Sequence, residues 1–252
     1  FEMMEIEYFV ASAEAKSWYD QWIKESLQWF VDMGVTRSLL RVRPHDSEAL
    51  SHYSKATSDI EYLFPWGWGE IQGIANRSDF DLKAHSKASG KELTYFNETT
   101  HEHITPHVIE PSAGVDRAVM TFLIDAYSEE SIPTSSGKLE RRNVLKLHPT
   151  LAPVKVAVLP LSRKENLILL AKDIQHTIQR SNTIQGLVQY DDSQSIGRRY
   201  RRQDEIGTPL CVTIDFESLD DNKVTIRERD SMTQVRVPIS ELLSNLSVKL
   251  TK

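Results

Sequence analysis

A polar stretch from Ser128 to Arg142 separates two parts of the chain with different hydrophobic rhythms, and that break limits what 252 residues can build. The stretch carries Pro-Thr-Ser-Ser-Gly at positions 133–137, with charges of both signs around it. Beyond it, strand and helix patterns alternate. Val154 to Leu159 is an apolar run, Glu165 to Gln179 has a helical period, and Leu187 to Tyr190 reads as a strand. A basic helix from Ile196 to Glu205 stops at Gly207, strands follow at Leu210 to Asp215 and Lys223 to Arg229, and Ile239 to Leu250 closes as a helix. Such alternation predicts an α/β unit on a mixed sheet. The expected division is 1–147 and 148–252, with a linker near 128–147.

The front part starts with alternation of period two. Met4, Ile6, Tyr8 and Val10 face one way, while Phe1, Met3, Glu5, Glu7 and Phe9 face the other. An amphipathic strand at the first residue reads as a cut start. From Ser12 to Met33 the aromatic residues Trp18, Trp22, Trp29 and Phe30 recur at helical steps, and Gly34 is the stop. A strand (Ser38 to Val42), a turn at Pro44-His45-Asp46 and a brief helix (Ser47 to Thr57) come next. Strands at Ile60 to Phe64 and Gly69 to Ile74 flank Pro65-Trp66-Gly67-Trp68. Lys83 to Thr105 is polar, a hairpin or an insertion loop, before a short strand at Val108-Ile109. The last element of this part is a helix over Ser112 to Tyr127, with Val115, Val119, Phe122 and Ala126 on one side.

One cysteine, Cys211, excludes an internal disulfide and a thiolate cluster, and points to a reducing, cytoplasmic setting. No run reaches the ~20 apolar residues of a membrane helix, so no membrane partner is expected. Net charge is −6, unevenly spread: residues 149–252 hold 15 Lys or Arg against 13 Asp or Glu, and the rest 15 against 23. The mildly basic end is the part able to approach a phosphate backbone. His101, His103 and His107 lie close together without a cysteine or an obvious fourth ligand, which favours loop histidines over a metal site. His148, before Pro149 at the junction, reads as structural.

Five segments carry a family resemblance. Phe1-Glu-Met-Met-Glu-Ile-Glu-Tyr-Phe9, Gly67-Trp-Gly-Glu-Ile-Gln-Gly-Ile-Ala-Asn-Arg-Ser-Asp-Phe-Asp-Leu82, Glu110-Pro-Ser-Ala-Gly-Val-Asp-Arg117 and Leu145-Lys-Leu-His-Pro-Thr-Leu-Ala-Pro-Val-Lys-Val-Ala-Val-Leu-Pro160 resemble glycyl-tRNA synthetases of the homodimeric type. Gly197-Arg-Arg-Tyr-Arg-Arg-Gln-Asp-Glu-Ile-Gly-Thr-Pro209 is similar to the anticodon-binding domain of several class II synthetases. The resemblance implies the later part of a class II antiparallel-sheet catalytic core, followed by an α/β anticodon-binding domain.

It implies a glycine site from Phe1, Glu2, Met3, Met4 and Glu5 together with Glu110, Pro111, Ser112, Ala113 and Gly114. ATP contacts are implied for Glu70, Ile71, Gly114, Val115, Asp116 and Arg117, with Glu70 a possible ligand of the Mg²⁺ that accompanies ATP. Physical chemistry agrees with these types. Carboxylates suit an ammonium group, Gly114 permits close approach, Ser112 can cap a helix, and Arg117 offers a planar fork of donors. Arg77 faces the active site or pairs with Asp79 or Asp81. Arg198, Arg199, Arg201 and Arg202 are the implied tRNA contacts, with some able to pair instead with Asp204 or Glu205. The partners implied are glycine, ATP and tRNA(Gly), in a family that is homodimeric. Motif 1 and the phosphate-gripping arginine of motif 2 are expected upstream of Phe1, so the chain alone is expected to be nearly inactive. The competing readings are a tRNA-binding protein without chemistry and, last, a relative of the accessory subunit of a DNA polymerase. The presence of Glu110, Ser112, Gly114 and Arg117 speaks against that subunit.

Overall fold

The computed structural model describes residues 2–46, 55–133, 137 and 139–251. Two compact units emerge, Phe1–Asp125 and Ala126–Lys252.

The first unit contains β1 (Met3–Glu5), β2 (Tyr8–Val10), α1 (Ala15–Asp32), β3 (Leu40–Pro44), β4 (Ala56–Phe64) and β5 (Gly67–Ser78). It continues with α2 (Phe80–Ser89), β6 (Tyr95–Asn97), β7 (Glu102–Ile104), β8 (His107–Gly114) and α3 (Val115–Ala126). An antiparallel sheet has the order β1-β8-β5-β4-β3, and β2 also pairs with β8. The alternation at the start of the chain sends Tyr8 and Val10 to the side where α1 packs. Trp18 and Trp22 meet the Tyr8 ring edge-on at 4.9 and 5.5 Å, and Tyr19 and Phe30 are buried beneath.

Three expectations for this unit change. The polar segment after Asp79 begins with a helix, α2, because Arg77–Asp81 and Lys83–Asp79 ion pairs and the left-handed Gly90 stop support a helix with no apolar stripe. On α3 Phe122 packs against Trp29 and Phe30 as expected, but Val119 is exposed, and Ala118 and Thr121 are the buried positions beside it. The helix expected over Ser47 to Thr57 falls largely outside the described residues, and its last two positions belong to β4.

The second unit contains β9 (Tyr127–Pro133), β10 (Leu139–Leu145), β11 (Val154–Pro160), α4 (Glu165–Arg180), β12 (Leu187–Tyr190) and α5 (Ile196–Ile206). β13 (Leu210–Ile214), α6 (Ser218–Asp221), β14 (Lys223–Glu228), β15 (Gln234–Pro238) and α7 (Leu242–Leu250) complete it. The sheet runs β12-β11-β13-β14-β15, its first three strands parallel and the rest antiparallel. This is the mixed sheet that the alternation predicts. Leu167, Ala171, Ile174 and Ile178 line one face of α4 and close over Val156 and Val158. On the other side of the sheet, Ala157, Leu159 and Cys211 are buried against Ile196 and Tyr200. That burial pushes the Cys211 thiol up to about 12.

The polar stretch expected as a linker is a hairpin instead. β9 and β10 pair antiparallel from Tyr127 opposite Leu145 to Pro133 opposite Leu139. The inward positions of β10 are Arg142 and Val144, and Arg142 is completely buried by ion pairs to Glu130 and Asp204. A buried arginine disguises a buried strand as a polar loop. Among the described residues, no helix is long and apolar enough to cross a membrane.

Candidate active site

Three neighbouring strands bring the expected residues to one face of the first unit's sheet. β1 lies against β8 with Met3 opposite Gly114 and Glu5 opposite Ser112. β8 in turn lies against β5, with Ser112 opposite Gly73 and Glu110 opposite Ala75. Directly opposed residues of antiparallel strands point to the same side. Met3, Glu5, Glu110, Ser112 and Gly114 therefore share a face, above a floor kept low by Gly73 and Ala75. A cavity of about 370 Å³ lies here, lined by Met3, Glu70, Ile71, Gly73, Ser112, Gly114, Asp116 and Arg117.

Strand alternation divides the glycine-site residues implied by the resemblance. The side chains of Met4, Pro111 and Ala113 point away from this cavity, into a separate apolar groove with Ile6, Trp22 and Gln72. Glu2 contributes backbone: its carbonyl accepts the Val115 N–H (2.9 Å) and its N–H donates to Asp116 Oδ2 (3.5 Å). Phe1 lies outside the described residues. Ser112 does not cap the helix, since it sits within β8 and its hydroxyl donates to Glu5 Oε1 at 3.3 Å.

A β-bulge aims Glu70. Between β4 and β5 the register shifts, so that Ile60 opposes Gln72 and Glu61 opposes Glu70, with Ile71 as the extra residue. Uninterrupted alternation would put Glu70 on the side of Gln72. The bulge turns it to the cavity, where a Cβ added at Gly73 would stand 3.5 Å from Glu70 Oε1. Ile71 remains buried beside it. Arg117, in the first turn of α3, donates from Nη1 to the Glu70 carbonyl at 2.7 Å. The helix N-terminus there adds positive potential at the rim of the cavity.

Arg77 takes two of the alternatives left open by the sequence. Its Nη1 lies 2.8 Å from Glu110 Oε2 and its Nε 2.7 Å from Asp81 Oδ2. Asp79 holds Lys83. Glu7 was not singled out from sequence, yet the register that pairs Glu5 with Ser112 and Tyr8 with Ile109 sets it opposite Glu110. Loss of solvent, then the charge of Glu110, pushes Glu7 up to about 7. Alternation with Glu5 was the available signal, but its partner became visible only through the register.

In the second unit, the four arginines of α5 part company. Arg199 is buried, donating to the carbonyls of Pro160 and Gln194. Arg202 is tied to Asp191 Oδ2 (2.5 Å) and the Ser193 carbonyl (2.9 Å), and Arg201 to Glu140 Oε2 (3.0 Å). Arg198 is exposed with no acidic partner among the described residues. Neither Asp204 nor Glu205 pairs with these four among the described residues. Asp204 is instead the buried acceptor for Arg142 and Arg227.

Comparison with known proteins agrees with both units. Residues 155–249 match the anticodon binding domain family. Over 99 % of its length the chain is 52 % identical to the glycine–tRNA ligase of Thermobifida fusca and 53 % identical to that of Corynebacterium glutamicum. It covers 54 % of each, so the chain spans about half the length of the curated relatives it matches. A crystal structure of prolyl-tRNA synthetase from Cryptosporidium parvum aligns with a TM-score of 0.69, over 99 % of this chain and 48 % of that one, at 17 % identity. The resemblance to glycyl-tRNA synthetases thus holds along nearly the whole chain, on the fold of a class II tRNA synthetase.

Proposed function

We propose that this chain supplies the amino-acid pocket and the anticodon-binding domain of a glycine–tRNA ligase. The observation that carries the reading is the register that gathers Glu5, Glu110 and Ser112 over the bare floor of Gly73 and Ala75, beside Arg117. In this reading the carboxylates of Glu5 and Glu110 hold the ammonium of glycine, and Ser112 fixes Glu5. Glycine has no side chain to grip, so selection works by leaving no room for a Cβ. Arg117 offers two parallel donors to ATP, and Glu70 places a hard oxygen where Mg²⁺ between phosphates would be held. The ion would neutralise phosphate charge as it develops.

The reaction joins the glycine carboxylate to the α-phosphate of ATP with loss of pyrophosphate, and a hydroxyl at the 3′ end of tRNA(Gly) then takes the glycyl group with release of AMP. Both steps depend on orientation and on donors aimed at phosphate oxygens. The second unit would read the anticodon, with Arg198 as the guanidinium most open to RNA.

The test is glycine-dependent ATP–pyrophosphate exchange by the protein as expressed from its own gene. Exchange with glycine and none with alanine is the expected result, and exchange driven equally by alanine would refute the assignment. Arg117 is the single arginine lining the cavity among the described residues. The 252 residues on their own are therefore expected to exchange slowly, since one missing donor costs about 3–4 kcal/mol of transition-state stabilisation.

A further inference from the structure

We propose that Glu7 and Glu110 hold one proton between them in the unliganded pocket, and that this proton leaves when the ammonium of glycine arrives. The proposal rests on the glycine reading above and adds a positioning residue, Glu7, that acts through Glu110.

The geometry starts from the strand register. Glu5 opposes Ser112 and Tyr8 opposes Ile109, so the two residues between them on each strand are also matched. Ile6 faces Pro111, whose carbonyl accepts its N–H at 3.0 Å, and Glu7 faces Glu110. Directly opposed side chains start about 5 Å apart at Cβ, and like charges there repel. One proton held by the pair removes that repulsion, and the protonated carboxyl can then donate to its ionised neighbour, which only accepts.

The surroundings keep it there. From β5, Arg77 contacts Glu110, but its second face is committed to Asp81 of α2. From β1, Glu5 adds negative charge to Glu7, and Ala75, opposite Glu110, brings none. Arg77 favours the ionised form of Glu7, but Glu110 and Asp81 already share its charge, and Glu5 adds more negative charge beside Glu7. In agreement, Glu7 is held near 7, first by loss of solvent and then by Glu110. An incoming ammonium brings a positive charge and three donors, which lets both carboxyls ionise.

The sign follows from a carboxyl raised in the unliganded state. Glycine binds best above about pH 7, and affinity falls by up to about tenfold per pH unit below it.

The experiment is a ¹³C-carboxyl NMR titration of the 252-residue chain labelled at glutamate, with Glu7→Gln identifying the resonance and ¹³C-glycine as the ligand. One glutamate is expected to titrate near 7 without glycine and to move well below that with it. Glycine should bind about tenfold more weakly at pH 6 than at pH 8. Glu7→Gln, whose amide donates to Glu110 in place of the proton, should flatten that dependence, and Glu7→Asp should keep it. The absence of any glutamate titrating above pH 6 would overturn the shared proton. Glycine binding with equal affinity from pH 6 to 8 would overturn the coupling alone. If the shared proton titrates but glycine binds at no pH, the glycine pocket itself falls, and the coupling with it.

Discussion

Asp204 is completely buried and receives two guanidinium groups. Arg142 Nε donates to it at 2.9 Å, and Arg227 Nη1 and Nη2 donate at 2.8 and 3.0 Å. Arg227 also lies over the Tyr200 ring at 4.6 Å, and Tyr200 shares a hydrogen bond with Thr213 at 2.6 Å. Burial alone would lower Arg227, but the bonds to Asp204 outweigh it and hold the cation. Replacing Asp204 with Asn should destabilise the second unit by about 3–5 kcal/mol, because buried Arg227 loses the carboxylate it pairs with and buried Arg142 is left with Glu130 alone. A urea melt of that unit measures the loss, and a change below about 1 kcal/mol would show that the network is dispensable. At this scale the sequence was legible in residue types and poor in pairings. It marked Glu5, Glu110, Ser112 and Arg117 from a family pattern, but Arg198 to Arg202 read as one basic cluster. Whether an arginine meets water or a carbonyl depends on contacts far along the chain, such as that of Arg199 with Pro160.

Most elements could be read because their apolar spacing is strong. α4 and β12 lie almost where the pattern put them, since i, i+4, i+7 and i+11 are all apolar in α4. The end of α5 was legible too. Gly207 is left-handed at φ 82°, and Thr208 N–H reaches back to the Gln203 carbonyl at 2.9 Å. A Cβ there would meet the backbone oxygen of Leu145 at 3.1 Å. Gly207→Ala is therefore expected to cost at least about 1–2 kcal/mol, read as a lowered melting temperature with α5 otherwise intact. β15 went unread because its alternation, Gln234-Val235-Arg236-Val237, lasts only four residues before Pro238, α2 because it has no apolar stripe, and the bulge at Ile71 could not be read at all. Alternation along one strand says nothing about where its neighbour skips a residue, and that skip is what points Glu70 at the cavity.

Across the molecule, the polar stretch proved to be structure rather than spacer, which moves the useful cut. The compact second unit starts at Ala126 and takes in the β9–β10 hairpin. A polypeptide of residues 126–252 should melt cooperatively and at a higher temperature than one of residues 148–252. The shorter piece lacks Arg142 and leaves Asp204 with one of its two cations. Equal melting temperatures would mean that the hairpin contributes nothing to that core. The two-part organisation itself was plain from the change of rhythm; its border was not, because Arg142 hides a buried strand inside a charged sequence. The chain's lone thiol adds a practical consequence. Cys211 is sealed in the second unit and is the only cysteine of all 252 residues. A thiol-reactive dye can reach it only while that unit is open, so the labelling rate is a clock for one unit's breathing, silent to whatever the other does.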